Sequence, residues 1–294
     1  MKIFESKILF FCTLFVYGMI LAVGVLWFRF PTEKIERFCE VKIEALLKGS
    51  QCTVSGIGYG FPFSVAVKSV RFSDEQQQEL FTLSNVRLSS SLKNIGSQLS
   101  LKLDAFGGSH SLQVTIDREN EEFVLEKIKI KNLDPAKIPV LARAAKREIG
   151  GTIDGEGVFH GVLQDGKLLT DGKGRFTLKQ GRFPLLVPIL ALESIDLKKF
   201  SMELDFKNNI LECQKGKFHG RELDGSFSGT VTLQSSLQNA RLSFIGDLEP
   251  LPDLLKENKE AQEIVIQLQK RRKRGTLPFV LKGTVQKPIF TFEP

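Results

Sequence analysis

The feature that most constrains this chain is a short apolar alternation that returns repeatedly between glycine-bearing linkers. Leu99, Leu101, Leu103 and Ala105 alternate with Ser100, Lys102 and Asp104, and Leu112, Val114 and Ile116 resume after Gly107-Gly108. A period of two places every other side chain on one face of a strand, and two such runs joined by glycines are a hairpin signature. Similar runs fall at 65–72, 81–88, 123–130, 174–178, 200–206, 227–233, 240–245 and 279–285, with linkers rich in Gly, Asp, Asn and Ser. Parallel strands would need intervening helices, so the pattern predicts a mainly β chain built on an elongated, twisted, largely antiparallel sheet, either an open sandwich or a groove.

The second constraint is Ile8 to Phe28, an unbroken uncharged apolar stretch closed by Arg29, with Trp27 at the border. A helix rising about 1.5 Å per residue needs roughly 20 apolar residues to cross a hydrocarbon core. Lys2 and Lys7 would also suit a signal peptide, but its apolar region usually runs about 7 to 15 residues before a small-residue cleavage site. Here Val25, Leu26, Trp27 and Phe28 follow instead, so the expectation is an uncleaved anchor delimited by Ile8, Trp27, Phe28 and Arg29. Arg29, Lys34 and Arg37 balance Lys2 and Lys7 across the segment, which leaves the charge rule for orientation undecided. We place 1–7 in the cytoplasm and the bulk of the chain outside it: a juxtamembrane helix over 29–49 and a β domain over 50–294, with similar lobes at 50–149 and 150–294.

Three segments break the β period. Ile35, Phe38, Ile43, Leu46 and Leu47 have helical spacing that Lys48-Gly49 ends. Asp134-Pro135 reads as an N-cap and first helical residue, with Ile138, Leu141, Ala145 and Ile149 on one face and Pro139 weakening the first turn. From about Leu254 to Arg272, Leu254, Ala261, Ile264, Val265 and Leu268 form one stripe. An internal echo also appears: Gly157-Val158-Phe159-His160-Gly161 recurs as Gly216-Lys217-Phe218-His219-Gly220, with Asp165-Gly166 and Asp224-Gly225 following. Repeated strand-turn units are how elongated sheets grow.

Chemistry is sparse. His110, His160 and His219 are the only histidines, none with a helically spaced ligand partner. His160 and His219 would form a metal or proton site only if the repeats stack them. The glycines of 150–181 lack the Lys-Ser/Thr ending of a phosphate loop and read as turns and bulges. Cys39 and Cys52 are spaced for a short disulfide loop, though they and Cys213 suit buried thiols equally. No catalytic set, metal set or cofactor motif emerges, so no enzyme and no cofactor is expected. The net charge of +7 is spread along the chain without a nucleic-acid motif. Membrane or acidic partners are therefore expected, and nucleic acid is not. Lys270, Arg271, Arg272, Lys273 and Arg274 either complement a helix C-terminus or contact anionic lipid or a partner. The alternating face of Leu99, Leu101, Leu103, Leu112, Val114 and Ile116 is either core or an apolar groove for acyl chains or a partner's strand.

Several blocks, taken in order, resemble the N protein of the type II (general) secretion pathway, in its longer form, and more distantly the AsmA-like envelope proteins. They are the N-terminal anchor, Gly150-Gly151-Thr152-Ile153-Asp154-Gly155-Glu156-Gly157, Asp171-Gly172-Lys173-Gly174-Arg175-Phe176-Thr177-Leu178 ending at Gly181, and the terminus from Arg274-Gly275-Thr276-Leu277-Pro278-Phe279 to Gly283-Thr284-Val285-Gln286-Lys287-Pro288. The resemblance implies a non-catalytic inner-membrane protein whose periplasmic β domain is a scaffold or interaction module of a secretion system, with other secretion components as partners. The AsmA-like kinship implies instead a β-sheet groove that binds or transfers phospholipid through its acyl chains.

Overall fold

The computed structural model describes residues 32–46, 50–60, 64–74, 76–90, 97–117, 119–139, 150–162, 170–234, 239–272 and 275–293, with 14, 15, 17, 18 and 21 nearer the N-terminus. Helix α1 (Thr32–Leu46) precedes the strands β1 (Ser50–Gly60), β2 (Ser64–Asp74), β3 (Glu79–Ser90), β4 (Gln98–Ala105), β5 (Gly108–Asp117) and β6 (Glu122–Leu133). There follow β7 (Gly150–Val162), β8 (Asp171–Ile189), β9 (Leu192–Lys207), β10 (Ile210–Gly220), β11 (Leu223–Thr232) and β12 (Arg241–Pro250). Helices α2 (Pro252–Glu257) and α3 (Lys259–Arg272) separate these from β13 (Leu277–Thr284) and β14 (Pro288–Phe292).

These strands form one sheet whose spatial order is their sequence order. Every neighbouring pair is antiparallel, as the tight hairpin connections require, and the two long connections, β6 to β7 and β12 to β13, keep the same sense. The junction between the two expected lobes is itself a hydrogen-bonded pair, β6 with β7. At the predicted hairpin the loop residues Phe106 and Gly107 are both in left-handed backbone, and Gly108 opens β5. A tight two-residue connection demands that conformation at both of its positions.

The alternation is not uniform, and its exceptions are regular. In β6 the apolar residues fall at Phe123, Leu125, Ile128, Ile130 and Leu133, with gaps of two and three. Lys127 and Asn132 occupy the longer gaps in left-handed backbone, and the register against β7 shifts at both. Asn85 in β3 and Lys215 in β10 do the same. A bulge inserts one residue, returns the next apolar side chain to the original face and increases the local twist.

The glycines of 150–181 are a correction to the sequence reading. Most are not turns: Gly155 and Gly157 lie inside β7, Gly172 and Gly174 inside β8, each opposite a residue of the next strand. Phenylalanine rings occupy the space that a Cβ would need. At Gly155 that Cβ would meet Phe176 Cδ1 at 2.7 Å, at Gly216 the Phe227 ring at 2.5 Å, at Gly225 the Phe218 ring at 2.5 Å, and at Gly246 the Phe279 ring at 2.8 Å. Large rings resting on bare backbone let the sheet bend sharply without opening voids. Among the described residues of this block, Gly151 is the bulge glycine with positive φ.

Two cores form on the same face. In the C-terminal half the sheet curls until β14 approaches β8. Leu178, Leu197, Phe218, Leu248 and Phe279 then enclose Leu223, Leu277 and the helical stripe Leu254, Ala261 and Val265, the last five at most 1% exposed. Asn258 splits the single predicted helix: its backbone is extended, and its side chain caps α3 by accepting from Ala261 N at 3.0 Å. An asparagine oxygen in that place satisfies a first-turn amide that has no partner within the helix. At the other end Ile35, Cys39 and Ile43 of α1 pack on Cys52, Val54, Ile57, Val70 and Phe72. Asp134 caps as predicted, accepting from Ala136 N at 3.0 Å; Pro135–Lys137 form one 3₁₀ turn, and Pro139 is helical after it. The remainder of that predicted helix, beyond Pro139, lies outside the described residues.

Candidate functional site: an open apolar trough

Among the described residues, neither buried core includes a residue of β4, β5 or β6. On these strands the inward face carries the predicted apolar set, Leu99, Leu101, Leu103, Leu112, Val114 and Ile116, all half-buried. The register unites them: Leu99 opposes Val114, Leu101 opposes Leu112, and Ile116 opposes Phe123 of β6. The rows continue outward. Tyr59, Val65 and Leu88 extend the Leu101–Leu112 row, with Leu88 40% exposed, while Leu125 and Phe159 extend the Leu99–Val114 row.

The result is an apolar floor from β3 to β7, about 19 Å across at the usual strand spacing. It is bounded on one side by the core under α1 and on the other by the curled half around α2 and α3. Burial of such side chains against hydrocarbon is worth about 25 cal/mol per Å², so a contiguous half-buried strip still has apolar area to gain by covering, although Ala105 and Phe123 on the same face are already buried. Its polar interruption is His110, in the row Leu103–His110–Ile130, and His110 Nε2 already bonds the Ala105 carbonyl at 2.9 Å. Leu88, Leu125, Ile128 and Ile130 were not singled out for this face from the sequence. The three-residue gaps across bulges were the available signal for Ile128 and Ile130.

The opposite face is a lattice of exposed ion pairs: Lys179–Asp154 at 2.7 Å, Arg175–Glu203 at 2.9 Å, Lys215–Glu203 at 3.0 Å and Lys173–Asp205 at 3.1 Å. The Lys179 hydrogen bond, with Asn132 N–H, holds Asp154 below its ordinary carboxylate range; Lys215 and Arg175 do the same for Glu203. Solvated pairs of this kind contribute little each, but they keep one face of the sheet polar.

His160 and His219 do not converge. Each lies on the polar face and pairs across strands with an aspartate, His160 Nδ1 with Asp171 Oδ1 at 2.6 Å and His219 Nδ1 with Asp224 Oδ2 at 3.1 Å. His160 is level with Lys207 at one end of β9, whereas His219 is level with Lys199 in its middle. The His160 hydrogen bond lowers the pKa of Asp171. Asp165-Gly166 lie outside the described residues. Among the described residues no group of three or more His, Cys, Asp or Glu side chains is placed to hold a metal ion.

Cys39, Cys52 and Cys213 are free thiols, so no disulfide joins Cys39 to Cys52. Burial pushes Cys213 up to about 11; burial, then Glu40 and Glu44, do the same to Cys52. Of the basic run, Lys270 is exposed on α3, α3 ends with Arg271 and Arg272, and Lys273 and Arg274 lie outside the described residues. Ile8, Trp27, Phe28 and Arg29 also lie outside them. Within the apolar stretch, Leu14, Phe15, Tyr17 and Leu21 are all at least 50% exposed, and Leu14, Phe15, Tyr17, Gly18 and Leu21 are helical. Among the described residues no helix is long and apolar enough to cross a membrane.

Fold and site together define a helix-capped β-trough with one apolar and one polar face. Compared with protein-family models, curated proteins and solved structures, the chain matches none of them.

Proposed function

We propose that the chain is a non-catalytic, membrane-attached protein of the bacterial envelope whose open β-trough holds phospholipid acyl chains. The observation that carries this reading is the apolar floor of β4–β6, which no described helix covers, between two helix-covered cores. A floor about 19 Å across suits an extended acyl chain, which fills half of a hydrocarbon core about 30 Å thick. The inner-membrane anchor and the periplasmic side are parts of the proposal that rest on the 8–28 stretch.

A second reading, a scaffold or interaction module of the type II secretion system, rests on the sequence resemblance. The observation favouring it is that β14 ends the sheet and, among the described strands, pairs only with β13. A secretion partner's strand can extend the sheet there.

Native mass spectrometry with lipid extraction on the detergent-purified chain, compared with a variant carrying Leu101→Asp and Val114→Asp, tests the first reading. The wild type is expected to carry phospholipid that the still-folded variant loses. A wild type that carries no more lipid than the variant refutes the trough as a lipid site and shifts effort to cross-linking at β14.

A further inference from the structure

We infer that the outward face of α1 is a docking surface for an anionic phospholipid bilayer, a contact separate from any lipid in the trough. Helix α1 has three faces. Ile35, Cys39 and Ile43 are turned to the sheet. Glu36, Glu40 and Glu44, one turn apart, accept backbone N–H bonds from the edge strand β1: Ile57 N at 3.2 Å, Val54 N at 2.8 Å and Cys52 N at 2.9 Å. At 3.6 residues per turn, all four glutamates of the helix, Glu33 included, fall within a sector of about 80°.

The third face is what remains. It carries Phe38, 62% exposed, and Val41, 59% exposed, with Lys34, Arg37 and Lys42 around them and no carboxylate among them. Lys42 Nζ lies 5.8 Å from the centre of the Phe38 ring, so its stem already runs beside the aromatic side chain. An exposed phenylalanine and valine set among long cations is the arrangement of an interfacial helix: apolar groups enter the acyl boundary while the ammonium and guanidinium heads reach up to phosphates.

Two further observations select a bilayer over a protein partner. The helix begins at Thr32, just beyond the end of the 8–28 apolar stretch, so a chain anchored by that stretch delivers α1 to the surface. Of the acidic side chains, which an anionic surface would repel, Glu36, Glu40 and Glu44 are engaged with β1, and the exposed Glu33 falls in their sector, outside the one that carries Phe38 and Val41. Because three carboxylates tie α1 to β1, contact between this face and the bilayer fixes the sheet's first strands at the membrane.

The test uses the full chain in nanodiscs. The protein has one tryptophan, Trp27, so Trp27→Phe with Phe38→Trp gives a single reporter on this face. In discs containing phosphatidylglycerol the indole is expected to emit at shortened wavelength and to be quenched by lipids brominated near the headgroup. A second reporter, Trp27→Phe with Ile289→Trp, at a site 61% exposed on β14, is expected to stay unquenched. Adding Lys34→Gln or Lys42→Gln is expected to weaken the Phe38→Trp contact roughly fivefold per cation, as should discs of phosphatidylcholine alone in larger degree. A folded protein whose Phe38→Trp indole emits as in water and escapes quenching in anionic discs overturns the inference, as does quenching equal at both reporters or indifferent to lipid charge. A chain that fails to associate with the discs overturns it as well.

Discussion

Replacing Gly216 with alanine isolates the contact that lets this sheet curl. Gly216 of β10 opposes Phe227 of β11, and the three atoms nearest a Cβ at that position all belong to the Phe227 ring, at 2.5 to 2.8 Å. The ring has little room to retreat, since it sits between Phe200 at 5.5 Å and Phe244 at 5.9 Å, centroid to centroid. Overpacking of this kind costs about 1 to 3 kcal/mol, while alanine in place of glycine in a strand returns roughly 0.5 to 1 kcal/mol. The net is centred near 1 kcal/mol of destabilisation and reaches about 2.5, which for a domain of this size lowers Tm by roughly 2 to 10 °C.

The same substitution made beside Phe227→Leu meets no Cζ or Cε2 and leaves at most a Cδ contact with a flexible side chain, so Gly216→Ala is expected to cost clearly less there than in the wild type. Thermal melts of the four proteins of this cycle, followed by near-ultraviolet circular dichroism in detergent, read the coupling directly. If Gly216→Ala lowers Tm equally in both backgrounds, or raises it in the wild type, the ring does not rest on this glycine and the account of curvature fails.

Two further outcomes are expected. Glu40→Ala removes a charge-assisted acceptor from a partly buried amide, worth about 1.5 kcal/mol, so exchange of the Val54 amide should accelerate roughly tenfold while Glu40→Gln changes it little; equal exchange in Glu40→Ala and wild type refutes the clasp. Asp154 has a folded pKa depressed by Lys179 and Asn132. Its contribution is therefore present above the unfolded value, about 3.9, and lost as pH falls through the folded one. Asp154→Asn should lower Tm at neutral pH, and the gap to wild type should close below about pH 4; a gap independent of pH contradicts the assignment.

The strands were legible because alternation is a local property, and Leu99 to Ile116 announce both their hairpin and the face they share. Bulges were legible only in retrospect. A gap of three, as from Leu125 to Ile128, looks like the end of a strand until the left-handed Lys127 shows that the strand continues. The glycines were misread for a different reason: Gly155 or Gly216 in isolation signals a turn, and only the cross-strand register brings Phe176 or Phe227 over it. Asn258, one residue before α3, did carry an N-cap signal, and the stripe skips a turn there, from Leu254 to Ala261 with Glu257 and Asn258 between, but matching periodicity on either side joined the two helices.

The trough marks where sequence reasoning stops on physical grounds. Alternation fixes which side of a strand is apolar, and whether that side is core or surface depends on what lies above it, a non-local matter. From the sequence Leu112 reads as either core or groove, and Leu223, between the runs at 200–206 and 227–233, carries no signal of its own. Leu223 is sealed because the sheet curls around α2 and α3, whereas Leu112 lies on the stretch of floor that neither α1 nor those helices reach. The curl depends on bulges and on rings laid over glycines, which crowd β7 to β13, whereas β4 and β5 carry no mid-strand glycine. The absence of that device on β4 and β5 is the structural reason the same apolar pattern is sealed by helices at both ends of the sheet while, among the described residues, no helix covers its middle.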